Sequence, residues 1–532
     1  ADGSVIRGNE VLSITINNVD PTAIWNFAIN IAPMYYYSDA EHIAKFDYEE
    51  NFGVEYGSSE FFENVLKNPD KSGVPVGAGA YAAASRSGGL LKTATSKTVD
   101  LKQVSSEGWF NVYEGFIYYE RNPYYDLAPN KNEDGSAWTK TAPDGKEYRV
   151  AKINKIRFSV CSPSNMIDNL RAGYVDFISP NATYEIITML INFGIEHTMC
   201  ETNSYGYIGI NAGKVPGIHV RRAIMHALDT NECVKYYKTM ARAINRPMST
   251  TNWAYPDDVI PYYPYIGGAI PKGILDKIGK NYRYAIYSEY RDYILELISK
   301  GELNENDVET GKACLTQAQQ ITYLQRLVEE DGYTLGGSGI YLRNSNGKAD
   351  ELKYTFTIVG NSEDHPAFGM MTNAKQLLNK IGFLITVKTD KDAQLLLASG
   401  GMAVWAAESN GKIDPDMYRE YHKDSKAYDV LNHGYREILN DQSGKYDTEK
   451  SLVTELSKLI VQGRETYDQR VRKPIYEKAL DKIMELAVEL PTYQRQDLYA
   501  YNRYKIDAST FYQCPTVFKG LLSNLTSMSL IS

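Results

Sequence analysis

The alternation of strand and helix patterns between residues 352 and 405 restricts the fold of this chain more than any other feature of the sequence. Apolar residues at every second position predict a strand over 352–358, and apolar residues at helical spacing predict a helix over 370–381. A second strand at 383–387, a short helix at 393–398 and a third strand at 402–405 follow. Strands separated by helices are typical of a mostly parallel sheet with helices on both faces, so we predict an α/β fold.

Further secondary structure is predicted on both sides of this segment. Strand patterns cover residues 11–16, 153–158 and 490–501, and helical patterns cover residues 220–228, 287–298, 452–460 and 475–486. In the first of these helices, Arg221 and Arg222 are expected to open the helix and to face solvent. The sequence shows no internal repeat and no low-complexity tail.

Length and charge limit the classes of protein that fit this chain. With 532 residues it is longer than one typical domain, so two or more lobes are expected. The net charge of −9 provides no basic surface for nucleic acid, and no apolar run approaches the length of a transmembrane helix. The five cysteines lie far apart without CxxC spacing, so we interpret them as mostly buried small apolar residues rather than zinc ligands.

Catalytic motifs are missing from the sequence. It contains no GxSxG, no HExxH and no GxxxxGK[ST] pattern, which carry esterase, metalloprotease and phosphate-binding chemistry. The seven histidines include no pair at metal-ligand spacing. We therefore predict a protein that is not an enzyme and that needs neither a metal ion nor a cofactor.

Several short segments, spread in order along the chain, give the strongest indication of function. They are Pro75–Tyr81 (PVGAGAY), Glu120–Tyr125 (ERNPYY), Leu170–Asp176, Tyr207–Asn211 followed by Val220–Asp229, Gly332–Lys348 and Leu490–Tyr493. Together they resemble the bacterial family 5 solute-binding proteins, which are the peptide- and nickel-binding components of ATP-binding-cassette (ABC) importers. The match at Leu490–Tyr493 is imperfect, since Val488 stands near where the family usually has a proline.

The resemblance implies a two-lobe, type II periplasmic-binding-protein-like fold with a ligand cleft between the lobes. We place lobe I at residues 1–213 plus 490–532 and lobe II at residues 214–489. Family members normally begin with a strand and a sizeable extra domain before the strand predicted at residues 11–16, so we expect a truncated or processed N-terminal portion. The implied partners of this monomer are a peptide or other small ligand and the membrane permease of the importer. The implied location is the periplasm or the extracellular face of the membrane, with a lipid anchor on the precursor.

The segment from Trp405 to Tyr418 is the first candidate ligand site, because open α/β sheets bind ligands beyond the carboxyl ends of their strands. The resemblance implies that a carboxylate soon after Trp405 holds the N-terminal amine of a peptide. Glu408 lies nearest to that place, and Asp414 and Asp416 are the other candidates. The alternative is that both aspartates only begin a helix as turn and N-cap residues.

A second group of candidates lies where the chain is expected to cross between the lobes. Tyr493 and Arg495 belong to the returning strand, and Arg495 has the charge to pair with a ligand carboxylate. A surface or interlobe salt bridge is the alternative for Arg495. Tyr207 and Asn211 lie at the first crossing, where a structural role competes with ligand contact.

These features predict an extracytoplasmic binding protein that captures peptides for an ABC importer. Capture of an oligosaccharide or a metal chelate remains an alternative, as does a hydrolase. The 43 tyrosines suit peptide and sugar ligands equally well, because a tyrosine combines a stacking face with a hydroxyl group. The small number of histidines argues against a metal chelate.

Overall fold

The structure, a computed structural model, describes residues 16, 19–23, 40–44, 59, 63, 76–90, 110–111 and 115–531. Within the last range, residues 239, 258, 276–287, 346–347, 361 and 514–518 are not described. The strand predicted at residues 11–16 lies almost entirely outside the described residues, and Cys514 lies outside them too. The chain divides into two compact units. Unit 1 comprises Ala1–Phe27 and Glu201–Gln496, and unit 2 comprises Ala28–Cys200 and Asp497–Ser532. The division into lobes at residues 213 and 490 stays a prediction.

Unit 2 is built from short strands and helices. Its strands are β1 (Tyr81–Ala83), β2 (Phe110–Asn111), β3 (Phe116–Arg121), β4 (Lys140–Thr141), β5 (Glu147–Tyr148), β6 (Lys155–Ser159), β7 (Phe177–Ile178) and β8 (Glu196–Glu201), and its helices are α1 (Ala40–Ala44), α2 (Met166–Arg171) and α3 (Tyr184–Asn192). Strand β3 pairs antiparallel with β1, β2 and β6. The strand predicted at residues 153–158 is therefore confirmed as β6.

Unit 1 contains the longer elements. Its strands are β9 (Tyr205–Ile210), β10 (Ala241–Ala243), β11 (Thr334–Leu335), β12 (Tyr341–Ser345), β13 (Lys348–Glu351), β14 (Lys353–Val359), β15 (Leu384–Asp390), β16 (Val404–Ser409) and β17 (Glu489–Tyr501). Its helices are α4 (Ile218–Ala227), α5 (Asn231–Tyr236), α6 (Ser288–Ser299), α7 (Glu305–Glu309), α8 (Gln317–Glu330), α9 (Pro366–Ile381), α10 (Ala393–Ala398), α11 (Tyr418–Tyr421), α12 (Tyr428–Asn432), α13 (Tyr435–Asn440), α14 (Asp447–Gly463) and α15 (Gln469–Leu486). Strand β17 continues past Gln496 into unit 2, where its end pairs with β7.

The central sheet of unit 1 has the strand order β10-β17-β9-β16-β14-β15. Strand β14 is parallel to both β15 and β16, and these three strands are joined by α9 and α10 as predicted. All pairings among β16, β9, β17 and β10 are antiparallel. The prediction of a mostly parallel sheet is therefore confirmed for β14, β15 and β16, whereas the antiparallel pairings of β9 and β10 make the whole sheet mixed. Strand β17 follows β16 through α11–α15 and runs in the same direction, since both strands pair antiparallel with β9, whereas β9 comes from a distant part of the chain and no local pattern sets its direction.

The core of unit 1 lies between the sheet and its covering helices. Phe356 and Ile358 of β14 and Met370, Ala374 and Leu378 of α9 are each completely buried. Burying an apolar side chain of this size stabilises the fold by about 1.5–3 kcal/mol. The apolar face predicted over residues 370–381 is thus the face that packs against the parallel strands.

Arg221 and Arg222 are buried, so the prediction that they face solvent is wrong. Arg221 is fully buried, and its guanidinium donates to Glu449 Oε1 at 2.9 Å and to the carbonyl oxygen of Val215 at 2.9 Å. Every residue of α4 except His219 is buried. A helix covered on all sides needs partners for its polar residues, and here Glu449 of α14 provides one.

The burial of the cysteines tests a further sequence prediction. Cys200 and Cys233 are buried, Cys161 is half-buried and Cys314 is exposed, and all four are free thiols. The prediction of mostly buried cysteines is therefore correct for two of the four described ones. None of the helices in the described part of the chain combines the length and the apolar character needed to cross a membrane.

Candidate ligand-binding site

A cavity of ≈ 770 Å³ opens in unit 1 beyond the carboxyl ends of two parallel strands. Val359 at the end of β14 and Ser409 at the end of β16 both line it. Open α/β sheets bind ligands in this position, and cavities of roughly 300–1,000 Å³ are typical of small-molecule sites. The cavity is therefore the candidate binding site, in the region that the sequence predicted.

Aromatic side chains of two neighbouring strands form one wall of the cavity. Trp405 of β16 lies opposite Gly209 of β9 and is only 1% exposed. Its Nε1–H lies 3.5 Å from the hydroxyl oxygen of Tyr207, which also lines the cavity. A Cβ atom at Gly209 would overlap the indole ring, so glycine is needed there. Burial raises the pKa of Tyr207 further above neutral pH, so its hydroxyl stays protonated and able to donate a hydrogen bond.

Six carboxylates line the cavity: Glu408, Asp414, Asp416, Glu420, Asp429 and Glu489. The side chain of Glu408 is 46% exposed, and its nearest cation, Nη2 of Arg495, is 3.8 Å away. The other five side chains are between 6% and 24% exposed. Glu408 is therefore the most accessible negative charge in the cavity wall.

Asp414 and Asp416 accept local backbone hydrogen bonds, as the turn interpretation expects, but the N-cap of α11 is Met417 and not either aspartate. The carboxylate of Asp414 accepts two hydrogen bonds from the guanidinium of Arg472, at 2.7 and 2.9 Å, and one from the backbone N–H of Asp416 at 3.0 Å. Asp416 accepts from the backbone N–H of Tyr418, at the first residue of α11, at 3.3 Å. Burial raises the pKa of the Asp416 carboxyl, although Arg464 opposes the shift.

Glu489 forms the floor of the cavity, and the sequence analysis did not identify it. Its buried carboxylate accepts hydrogen bonds from the hydroxyl groups of Tyr205 at 3.0 Å and Tyr421 at 2.6 Å. Nε2 of His433 lies 3.7 Å from the same carboxylate, and its ring stacks on that of Tyr421. A signal was present, because Glu489 is the single acidic residue in the apolar run Leu486–Pro491.

Four of the predicted site residues do not line the cavity: Tyr418, Tyr493, Arg495 and Asn211. The side-chain amide of Asn211 donates to the carbonyl oxygens of Leu431 and Gly400, and its oxygen accepts from the backbone N–H of Gly213. The ring of Tyr493 packs on that of Tyr237 with centroids 5.1 Å apart. The ring of Tyr418 stacks on that of His422 at 4.2 Å. Nη2 of Arg495 lies 3.8 Å from Oε1 of Glu408, which lines the cavity, and direct ligand contact by these residues stays a prediction.

Comparison with known proteins identifies the class of this chain. Residues 110–435 match the family described as "Bacterial extracellular solute-binding proteins, family 5 Middle". This match covers more than half of the sequence, so the chain belongs to family 5 of these proteins, as its motifs indicated. A comparison with curated protein sequences finds no match.

Solved structures of this class share the fold. NikZ from Campylobacter jejuni in complex with Ni(L-His) has a TM-score of 0.57 and 14% identity, covering 98% of this chain and 78% of its own. The oligopeptide-binding protein AppA from Bacillus subtilis, in complex with a nonapeptide, has a TM-score of 0.50 and 16% identity, with 84% and 73% coverage. The periplasmic EDTA-binding protein EppA has a TM-score of 0.51 and 15% identity, with 79% coverage of this chain and 62% of its own length. The type II periplasmic-binding-protein-like α/β fold is thus confirmed.

Proposed function

We propose that this protein captures peptides in the cavity of unit 1 and delivers them to the membrane permease of an ABC importer. Glu408 holds the peptide's N-terminal amine. The accessibility of Glu408 carries the proposal, because the other five carboxylates of the wall are more deeply buried. A peptide has an amine at a fixed end whatever its sequence, so one carboxylate serves many ligands.

The charges around the cavity support a ligand with a positive group. Against its six carboxylates the wall has two permanent cations, Lys412 and Arg419. Lys412 is paired with Glu420, and Arg419 lies 3.6 Å from Asp429. Asp414 and Asp416 have Arg472 and Arg464 beside them, so the argument for a ligand ammonium group rests on the accessible Glu408, to which it can make a charge-assisted hydrogen bond.

The comparisons support the same assignment without establishing the ligand. AppA, which shares the fold, is described with a bound nonapeptide. The family is one of extracellular solute-binding proteins, and we propose the periplasm or the outer face of the membrane as the location, with a lipid anchor on the precursor. We propose a monomer that binds its peptide without cleaving it.

The test is a comparison of Glu408→Gln with the parent protein in calorimetric titrations of free and N-acetylated peptides. Truncating one partner of a hydrogen-bonded charge pair costs about 2–5 kcal/mol, so Glu408→Gln should lose thirtyfold or more in affinity for free peptides. Acetylated peptides should bind weakly to both proteins. Glu305→Gln, a change at an exposed first-turn glutamate of α7, is the matched control and should bind like the parent.

Two outcomes would contradict the proposal. Equal affinity of the parent for free and acetylated peptides would show that the amine is not the anchor. Normal binding by Glu408→Gln would place the anchor elsewhere.

The proposal that the protein does not cleave its ligand has a separate test. Peptides recovered after titration should be intact, and steady cleavage would identify the protein as a hydrolase instead.

A metal chelate is the second candidate, because two histidines line the cavity. Nδ1 of His433 is buried and has no hydrogen-bond partner among the described residues, and burial lowers the pKa of His365, which favours its neutral, metal-binding form. NikZ, with the same fold, is described with Ni(L-His). Mass spectrometry of the ligand released by denaturation distinguishes a retained peptide from a metal complex.

A further inference from the structure

A histidine and two glutamates come together at the ends of three helices of unit 1. None of these three residues lines the cavity. His219 is the second residue of α4, Glu289 the second residue of α6, and Glu330 the last residue of α8. One ligand atom from each side chain lies within 4.8 Å of the other two. The Nε2 atom of His219 is 3.1 Å from Glu330 Oε2 and 4.0 Å from Glu289 Oε1.

A fourth residue, Asp331, orients the imidazole ring. Its Oδ1 lies 2.9 Å from His219 Nδ1, and its Oδ2 accepts the backbone N–H of Val220 at 2.8 Å. A carboxylate can only accept a hydrogen bond at neutral pH. The proton is therefore on Nδ1 of His219, and this N–H donates a hydrogen bond to Asp331. The second nitrogen, Nε2, is left facing Glu330 and Glu289. Metal-binding histidines commonly have this arrangement, in which a carboxylate holds the far nitrogen.

From this geometry we propose that His219 Nε2, Glu330 and Glu289 bind one divalent transition-metal ion of the zinc type. With the proton on Nδ1, the lone pair of Nε2 and a carboxylate oxygen face each other at 3.1 Å. Two acceptors at that distance repel each other unless a proton or a metal ion lies between them. Zinc–nitrogen and zinc–oxygen bonds are about 2.0–2.2 Å long, so one ion can contact both atoms with an angle of about 90–100° between the two bonds.

The surroundings of the cluster favour an ion over a set of surface charges. Oε2 of Glu289 is buried and lacks a hydrogen-bond partner among the described residues. This observation marks a carboxylate oxygen that is taken out of water without full compensation. The Glu330 side chain is 47% exposed, so water completes the coordination sphere.

Two other cations compete for the same carboxylates. Nη1 of Arg222 lies 3.8 Å from Glu289 Oε1 and neutralises part of its charge. A second proton on His219 would also satisfy the contact with Glu330, as a simple ion pair. A protonated histidine would not bind zinc, whereas a metal site would, so a zinc titration distinguishes the two explanations of this contact.

The experiment titrates zinc into the full chain after treatment with a chelator, and compares His219→Gln with the parent. The glutamine amide keeps a donor for Asp331 but removes the Nε2 ligand. The parent should bind one equivalent of Zn²⁺ and unfold at a higher temperature with it. His219→Gln and Glu330→Gln should each lose tenfold or more in affinity, as loss of one of three protein ligands implies. Anomalous scattering from crystals soaked in zinc should locate the ion between His219 and Glu330.

His197→Gln, at the half-exposed His197 of unit 2, is the matched control and should bind zinc like the parent. If the parent binds no zinc, or if His219→Gln binds it equally well, the proposal is wrong and the cluster is a protonated ion pair. An anomalous signal from zinc in the cavity beside His433, and none between His219 and Glu330, would also overturn the proposal. None of these outcomes depends on the peptide-binding proposal.

Discussion

Asp414 and Arg472 form a buried ion pair in the cavity wall, and their contacts separate a stabilising role from a ligand-binding role. The side chains are 11% and 4% exposed, and the guanidinium also donates to the carbonyl oxygen of Gly463 at 2.8 Å. Removing one member leaves the other charge buried and unpaired. Asp414→Asn should therefore lower the free energy of unfolding by about 3–5 kcal/mol, measured by urea denaturation.

An exposed pair of the same type provides the control for Asp414→Asn. Nζ of Lys473 lies 3.1 Å from the carboxylate of Asp257, whose side chain is 69% exposed. Asp257→Asn should change the free energy of unfolding by less than about 1 kcal/mol, because water solvates the lysine that remains. If Asp414→Asn unfolds like the parent but binds peptides poorly, Asp414 is a ligand anchor rather than a structural residue.

At the scale of single elements, helix α8 begins with a capping box. The hydroxyl oxygen of Thr316 accepts the backbone N–H of Gln319 at 3.3 Å, and the side-chain oxygen of Gln319 accepts the backbone N–H of Thr316 at 2.9 Å. Thr316→Ala leaves one first-turn donor without its partner and should lower the free energy of unfolding by about 1 kcal/mol in urea denaturation.

Thr230, at the N-terminus of α5, is a matched control for Thr316→Ala because its side chain makes no capping hydrogen bond. Thr230→Ala should change the free energy of unfolding by only a few tenths of a kcal/mol. Equal losses in the two variants would mean that the threonine side chains stabilise these helices by packing and not by capping.

At the scale of the whole molecule, the main core of unit 1 encloses an uncharged histidine. His226 is fully buried among Tyr263, Tyr290 and Tyr323, and its Nδ1–H donates to the carbonyl oxygen of Pro264 at 2.8 Å. Burial lowers the pKa of His226 from 6.5 to about 4 in the folded protein. Between those two pH values the unfolded chain binds a proton that the folded chain does not. The contribution of His226 to the free energy of unfolding is therefore fully present above pH 6.5 and is lost as the pH falls towards 4.

The measurement is the free energy of unfolding of the parent and of His226→Asn between about pH 7 and about pH 4. The parent should lose up to about 3 kcal/mol more than the variant over this range, because the asparagine amide replaces the donor to Pro264 without titrating. His197→Gln should keep the pH dependence of the parent. Equal pH dependence of parent and His226→Asn would show that other groups control acid unfolding.

Local sequence patterns were sufficient for the elements between residues 352 and 405 and for the family. The period-two and helical spacings between residues 352 and 405 predicted β14, α9, β15, α10 and β16 in order, because side chains that alternate or recur along a few turns report only on their own element. The same local information predicted a strand that ends at Trp405, whereas β16 begins at Val404 and continues to Ser409, and the ligand site beyond it stays a proposal. Family membership followed from short motifs, each contained within a few residues.

Only the tertiary structure decided which of the candidate charges are accessible. Asp414 is paired with Arg472, 58 residues away, and the buried Glu489 meets Tyr205, 284 residues away. The burial of Arg221 and the approach of Asp331 to His219, 112 residues away, were equally absent from any local pattern. A carboxylate has the same chemistry in the sequence wherever it lies, and its burial and its partner arise only when distant segments pack together.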